Sequence, residues 1–274
     1  MRSSFANAPE PMLAGIVEER TAKGAAAAIR SCEYAGATGI DLHLECLAPE
    51  EQNAEGVRKI LKDTMLPVLA LYYPGAQEEI TEEERVSRLL QAVEGGVSGI
   101  DLQAYTYDRP AKAHLRPEYA DAGYSFLHDD PHEIVLDERI IERQCALIEK
   151  VHSMGAEVLM SCHPKTVMKC EEVVELALLL EKRGPDILKI VTVARTEEDL
   201  AESFRTMVAL KKTLHTKVVF HCAGRAGRLS RIVNPLLGGH MAFCVDGFRE
   251  TSVLDQLDLR TASEIVDRMR KIMM

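Results

Sequence analysis

No run of apolar residues in this chain approaches the roughly 18 needed to cross a bilayer. The opening stretch, MRSSFANAPEPM, lacks the apolar core of a secretory leader. Both absences lead to the expectation of a cytoplasmic protein with no membrane partner. Positive charge is in short supply, since 33 Lys and Arg face 43 Asp and Glu for a net charge of −10. That balance excludes a general attraction to nucleic acid, so any anion site has to be built locally. The seven cysteines (Cys32, Cys46, Cys145, Cys162, Cys170, Cys222, Cys244) are odd in number, scattered and without a C-x-x-C pair. They read as reduced thiols, mostly core, rather than a disulfide framework. Neither GxGxxG nor G-x-x-x-x-G-K-[ST] is present, which argues against a nucleotide ligand.

What is present is a globular composition, 46% hydrophobic and 28% charged over 274 residues. The length is close to the roughly 250 residues of one (β/α)₈ TIM barrel. Eight short apolar runs recur: LAGIV 13–17, GIDLHLE 39–45, LPVLALYY 66–73, GIDLQAY 99–105, EVLMSCH 157–163, ILKIVTV 187–193, KVVFHC 217–222 and MAFCV 241–245. Apolar on both faces, they predict parallel strands covered outside and packed inside. Segments 22–35, 80–94, 137–153, 166–183, 197–212 and 258–272 carry helical periodicity, so strand and helix alternate as βαβ units. Thr81 before Glu82–Glu84 and Thr196 before Glu197–Asp199 mark helix starts with acidic first turns. The sequence therefore predicts an α/β fold, a single-domain (β/α)₈ barrel over 1–274. Residues 105–136, rich in Pro, Asp and His, form an insertion after the fourth strand, either a substrate wall or a solvated excursion.

In such a barrel the C-terminal strand ends carry the chemistry, and polar residues gather there. Asp41, His43 and Glu45 alternate along the second run; Tyr72 and Tyr73 close the third; Asp101 and Gln103 lie on the fourth; Ser161 and His163 end the fifth; His221 ends the seventh. Lys189 lies between Leu188 and Ile190 in a run with no other charge. Lysine is rarely buried without a partner. Desolvation disfavours an ammonium, and a neutral amine attacks a ketone or aldehyde to form a Schiff base. A structural ion pair with Asp41 or Glu45 explains the same pattern. His163, in MSCHP on the neighbouring strand, is suited to carry the proton near neutrality. AGRAGRLSR, 223–231, brings Arg225, Arg228 and Arg231 to a glycine-rich turn opening a helix, fit for a small carboxylate or, for some of the three, simply an exposed basic turn.

In this order the motifs resemble the type I 3-dehydroquinate dehydratases over nearly the whole chain. MSCH is similar to that family's MSNHD, with the catalytic histidine at His163. GPDILKIVTVA resembles ADIPKIAVM, with the Schiff-base lysine at Lys189. GRLSR matches GxxSR, whose arginine, here Arg231, grips the substrate carboxylate, and SVLDQ matches the spacing of a substrate-contacting Ser252 and Gln256. The resemblance implies dehydration of a cyclic β-hydroxyketo acid through a lysine imine, without metal or organic cofactor. It also implies a homodimer and a place in shikimate-pathway aromatic biosynthesis or quinate catabolism. The substrate shell departs from the family. EWRxD has become DLHLE, placing Asp41, His43 and Glu45 at the glutamate, arginine and aspartate; TFR has become LYY, with Tyr73 for the arginine and Gln77 near the following glutamate; DxE has become DLQ, with Gln103. A site built to hydrogen-bond one ligand rejects mismatched ones, so the expected substrate is dehydroquinate or a related keto acid.

Two other classes fit the same residues. A metal-dependent barrel lyase or isomerase would draw Zn²⁺ or Mn²⁺ ligands from Asp41, His43, Glu45, Asp101, His163 or His221. A non-catalytic barrel would bind a small acid as a sensor or partner subunit.

Overall fold

The computed structural model describes residues 3–73, 80–248 and 255–273. Within them strand and helix alternate. β1 (Met12–Val17), α1 (Ala22–Ala35), β2 (Gly39–His43), α2 (Ala54–Leu61), β3 (Val68–Leu71), α3 (Glu82–Gly95) and β4 (Gly99–Gln103) come first. α4 (Pro110–Ala113), α5 (Glu138–Ser153), β5 (Glu157–Cys162), α6 (Cys170–Glu181), β6 (Ile187–Val193), α7 (Glu197–Thr213) and β7 (Lys217–Ala223) follow. α8 (Ser230–Leu236), β8 (Met241–Val245), β9 (Leu257–Asp258) and α9 (Leu259–Met273) complete the order. The eight runs read from sequence all contain strands; β9, two residues long, is an addition to them.

The chain divides into two compact units, one of Met1–Asp101, Val151–Glu157 and Met241–Met274, the other of Leu102–Lys150 and Val158–His240. In the first, parallel strands run β4-β3-β2-β1-β8-β9, with Ala14 level with Gly39, Ile40 with Val68 and Met12 with Met241. Met12, Ala14, Ile40, Leu42, Val68 and Ala70 are fully buried, as double-faced strands require. Removing each larger side chain from water stabilises by roughly 1.5–3 kcal/mol. α1 begins and ends where its caps dictate. Thr21 Oγ1 accepts from Gly24 N at 3.0 Å, and Gly36 takes φ +102°, a left-handed value that suits glycine. α3 starts on a capping box in which Thr81 Oγ1 accepts from Glu84 N (3.1 Å) and Glu84 accepts from Thr81 N (2.9 Å). In the second unit Thr196 and Asp199 repeat the device at the start of α7.

The ends of several runs shift, β4 stopping at Gln103 and β5 at Cys162. The second run was read as strand to Glu45, but β2 stops at His43 and Leu44–Cys46 is a 3₁₀ turn. The third was read as 66–73, but β3 covers Val68–Leu71.

The second unit holds β5, β6 and β7 as parallel neighbours and, between β4 and α5, the inserted stretch. It contains α4 and 3₁₀ turns at Pro117–Tyr119 and Ser125–Leu127. Tyr105, Ala111 and Val135 form its small core, with Ile140 and Ile141 of α5 packed on them. Its base is tied by Arg183, which is 4% exposed. The guanidinium donates to Ala104 O (3.2 Å), Gln144 Oε1 (2.7 Å) and Val135 O (2.7 Å), so both ends of the insertion meet one side chain. Gln144 Nε2 also donates to Ala104 O and Thr106 O, each at 2.8 Å. Farther out, Ser125 N and Oγ donate to Glu175 of α6.

Candidate active site

Lys189 sits at the middle of β6 and is 6% exposed. Its cross-strand neighbours are Ser161 on β5 and Val219 on β7, while Val191 is level with His221. Alternate strand residues share a face, so Lys189 and Val191 face the same way as Ser161, Val219 and His221. His163, just beyond β5, continues that face by one pleat. The strand register therefore puts the lysine one step down from two histidines, one on each flanking strand.

His163 is held by a residue that sequence reading did not single out. Glu133, at the end of the insertion, is buried, and its Oε2 accepts from the His163 backbone N (2.7 Å) and pairs with Nδ1 (3.1 Å). An ionised carboxylate only accepts, so Nδ1 carries the hydrogen and Nε2 is the nitrogen that exchanges a proton with a reactant. Glu133 is itself fixed by its N–H on Ala111 O (2.5 Å), and its φ of +68° is a left-handed value that non-glycine residues adopt only when the surroundings enforce it. As one of three carboxylates in DDPHE, with no periodicity around them, Glu133 gave no sign of this.

Arg231 opens α8 and is 9% exposed, whereas Arg225 and Arg228 are exposed. Of the three arginines expected around an anion, the structure turns one inward. Its Nη1 lies 3.1 Å from His221 Nε2. A guanidinium only donates, so Nε2 accepts and the ring hydrogen is on Nδ1. Burial, reinforced by the charges of Arg231, Lys189 and His163, holds the His221 pKa well below its ordinary 6.5, and the ring is neutral. The glycine-rich turn that aims Arg231 is dictated locally. A Cβ on Gly227 would meet Cys222 O at 2.6 Å. Ser230 Oγ accepts from Cys222 N (2.8 Å) and donates to Gly227 O (2.5 Å), and Asn234 Nδ2 donates to Phe220 O (2.9 Å).

The remaining candidates divide between the two units. Gln103 is fully buried in the second unit. Asp41, His43 and Tyr73 lie in the first, where Asp41 Oδ2 is 3.4 Å from His43 Nε2 and the Tyr73 ring stands 6.0 Å from that of His43. His43 Nδ1 is 3.1 Å from Glu45 Oε1, so both ring nitrogens are engaged by carboxylates. Burial alone would lower the His43 pKa, but hydrogen bonds with Asp41, Cys46 and Glu45 outweigh it and hold the value well above 6.5. His43 stands where the resemblance leads to the expectation of a substrate arginine, and it is flanked by Asp41 and Glu45. Of the residues weighed as metal ligands, His43 and Glu45 come together, with Cys46 as an unanticipated third. Gln256 is half-buried beside β9, and Ser252 and Gln77 lie outside the described residues. Among the described residues no helix is long and apolar enough to cross a membrane.

Solved proteins share the fold. Solved type I 3-dehydroquinate dehydratase from Clostridium difficile, with covalently modified comenic acid, superposes with a TM-score of 0.73 at 14% identity, covering 96% of this chain and 93% of that one. 3-Dehydroquinate dehydratase from Geobacillus kaustophilus gives 0.73 at 14%, covering 98% and 97%. At that identity the likeness establishes the (β/α)₈ fold alone. In sequence, 3-dehydroquinate dehydratase of Desulfotalea psychrophila is 26% identical over 65% of this chain and 65% of its own length. That of Coxiella burnetii is 29% identical over 44% of this chain, which spans 52% of that relative. That of Thermococcus onnurineus is 24% identical over 93% of this chain and 98% of the relative. The model of the type I 3-dehydroquinase family matches residues 16–273, a span that includes the lysine strand, both flanking histidines and the arginine turn; the chain belongs to that family.

Proposed function

We propose that the chain is a Schiff-base carbon–oxygen lyase that dehydrates a small cyclic β-hydroxyketo acid, dehydroquinate or a relative of it. The observation that carries this reading is the placement of Lys189 beside a histidine whose tautomer Glu133 fixes, in a member of this family. Lys189 Nζ attacks the ketone carbon, and loss of water gives an iminium that acidifies the neighbouring C–H. His163 Nε2 takes that proton, leaving an enamine. The enamine expels the β-hydroxyl, which leaves as water with the proton returned by His163. Hydrolysis of the imine releases the conjugated ketone and restores the amine. Arg231, buried and steadied by His221, is the group for the substrate carboxylate.

The changed shell bears on which acid is taken. Where the family carries an arginine between two carboxylates, His43 already has both ring nitrogens occupied. Substrate contacts by Asp41, His43, Tyr73, Gln103, Ser252 and Gln256 rest on resemblance, as does a homodimer; a single domain is read from length and a cytoplasmic location from composition.

The test is borohydride reduction in the presence of dehydroquinate and a panel of cyclic keto acids, read by intact mass and peptide mapping. A reduced adduct on Lys189, lost in Lys189→Met, is expected. No adduct with any of these acids would remove the mechanism.

A further inference from the structure

The turn after β2 gathers a donor set that takes no part in the imine and proton-transfer steps at Lys189 and His163. His43, Glu45 and Cys46 each offer a ligand atom, nitrogen, oxygen and sulfur, and these atoms all lie within 4.8 Å of one another. The spacing follows from the 3₁₀ turn Leu44–Cys46, which buries Leu44 and leaves the three side chains around a common point. Zn²⁺ holds such donors at roughly 2.0–2.3 Å, which puts them roughly 3.3–3.6 Å apart, so small side-chain rotations close the set.

Charge and hydrogen bonding point the same way. The Asp41 and Glu45 side chains are 4% and 5% exposed, and Glu18 Oε1 lies 3.7 Å from His43 Nδ1. One imidazole among three carboxylates leaves the group net negative even when the ring is protonated. Glu45 Oε2 and Asp41 Oδ1 are buried and take no hydrogen bond among the described residues. Unsatisfied buried carboxylate oxygens are costly, and a dication relieves them. Asp41, against Nε2, stands where an outer carboxylate orients a metal-bound histidine through its other nitrogen.

We propose that His43 Nδ1, Glu45 and Cys46 Sγ form a three-ligand Zn²⁺ site at the end of β2, with Asp41 orienting the imidazole and a fourth position for water or Glu18. A thiolate in the set selects Zn²⁺ over Mg²⁺ or Ca²⁺. The ion enters as the thiol proton is lost to solvent, with no change of oxidation state.

The full-length chain, stripped with chelator, is titrated with Co²⁺ as a spectroscopic probe and then with Zn²⁺. A thiolate-to-cobalt charge-transfer band saturating at a single ion per chain, and displaced by Zn²⁺, is expected. Cys46→Ser should abolish the band, Cys145→Ser should keep it, and Asp41→Asn should weaken binding by roughly 10–100-fold. In the unaltered protein Zn²⁺ should slow alkylation of Cys46, measured by peptide mass, independently of any variant's folding. Absence of the band, its survival in Cys46→Ser, or unprotected Cys46 at saturating Zn²⁺ would each overturn the site. All of these readouts are independent of imine formation at Lys189, so the lyase reading stands or falls separately.

Discussion

One oxygen of Glu133 serves His163 twice, accepting its backbone N–H at 2.7 Å and facing its Nδ1 at 3.1 Å. Main chain and ring are thereby oriented by a single carboxylate that comes from the insertion rather than from a barrel strand.

Glu133→Gln keeps the size of the side chain but can present its amide N–H to Nδ1, which favours the other tautomer. kcat with the acid that labels Lys189 is expected to fall by roughly 10²-fold, with little change in KM and undiminished borohydride trapping. Loss of trapping in parallel with kcat would mean that the residue merely supports the fold.

His163→Ala separates binding from proton transfer. Turnover is expected to drop by roughly 10²–10⁴-fold, while the Lys189 adduct accumulates because the imine forms but does not react onward. Single-turnover mass spectrometry checks this; an unreacted lysine would assign imine formation, too, to the histidine.

The neutral His221 sets a pH response. Its folded pKa lies well below 6.5, so above about 6.5 both folded and unfolded states leave it uncharged and nothing is lost. As pH falls from about 6.5 toward the lowered value, the unfolded chain binds a proton that the folded one refuses beside Arg231, Lys189 and His163, and stability declines. His221→Gln should flatten that part of the stability profile. Urea unfolding at a series of pH values measures it, and an unchanged slope would count against the assigned charge state.

Several features were legible in the sequence because local chemistry decides them. Thr21 and Gly36 bracket α1 at the residues read from pattern, and Thr81 and Thr196 mark helix starts for the same reason. Lys189 stood out because charge in an apolar strand is rare. What stayed hidden depends on tertiary contacts. The end of β2 looked like a continued strand because Asp41, His43 and Glu45 alternate, yet the chain turns at Leu44, and only that turn adds Cys46 to the cluster. Glu133 lies 30 positions before His163, in a stretch whose composition says only loop. Residue pattern alone did not separate Arg225 and Arg228 from Arg231; the resemblance of GRLSR did, and the Gly227 contact and the Ser230 hydrogen bonds hold the turn from which Arg231 is buried.

Arg183 is the other buried cation with a measurable role. Burial brings its pKa down to about 10, so it stays charged at neutral pH, bound to carbonyl and amide oxygens rather than to a carboxylate. Arg183→Met leaves those acceptors without their donor, and a loss of roughly 3 kcal/mol is expected. The thermal midpoint should fall by several degrees, and limited proteolysis should cut first within 105–136. A wild-type melting curve would refute the clamp.

That clamp also makes the insertion a replaceable part. Because the segment departs at Ala104 and returns at Val135 under the same guanidinium, a protein engineer can exchange the intervening residues as a cassette without redrawing the strands on either side. The constraint is one carboxylate near the returning end: a graft that omits a counterpart of Glu133 would inherit the lysine but not an oriented base.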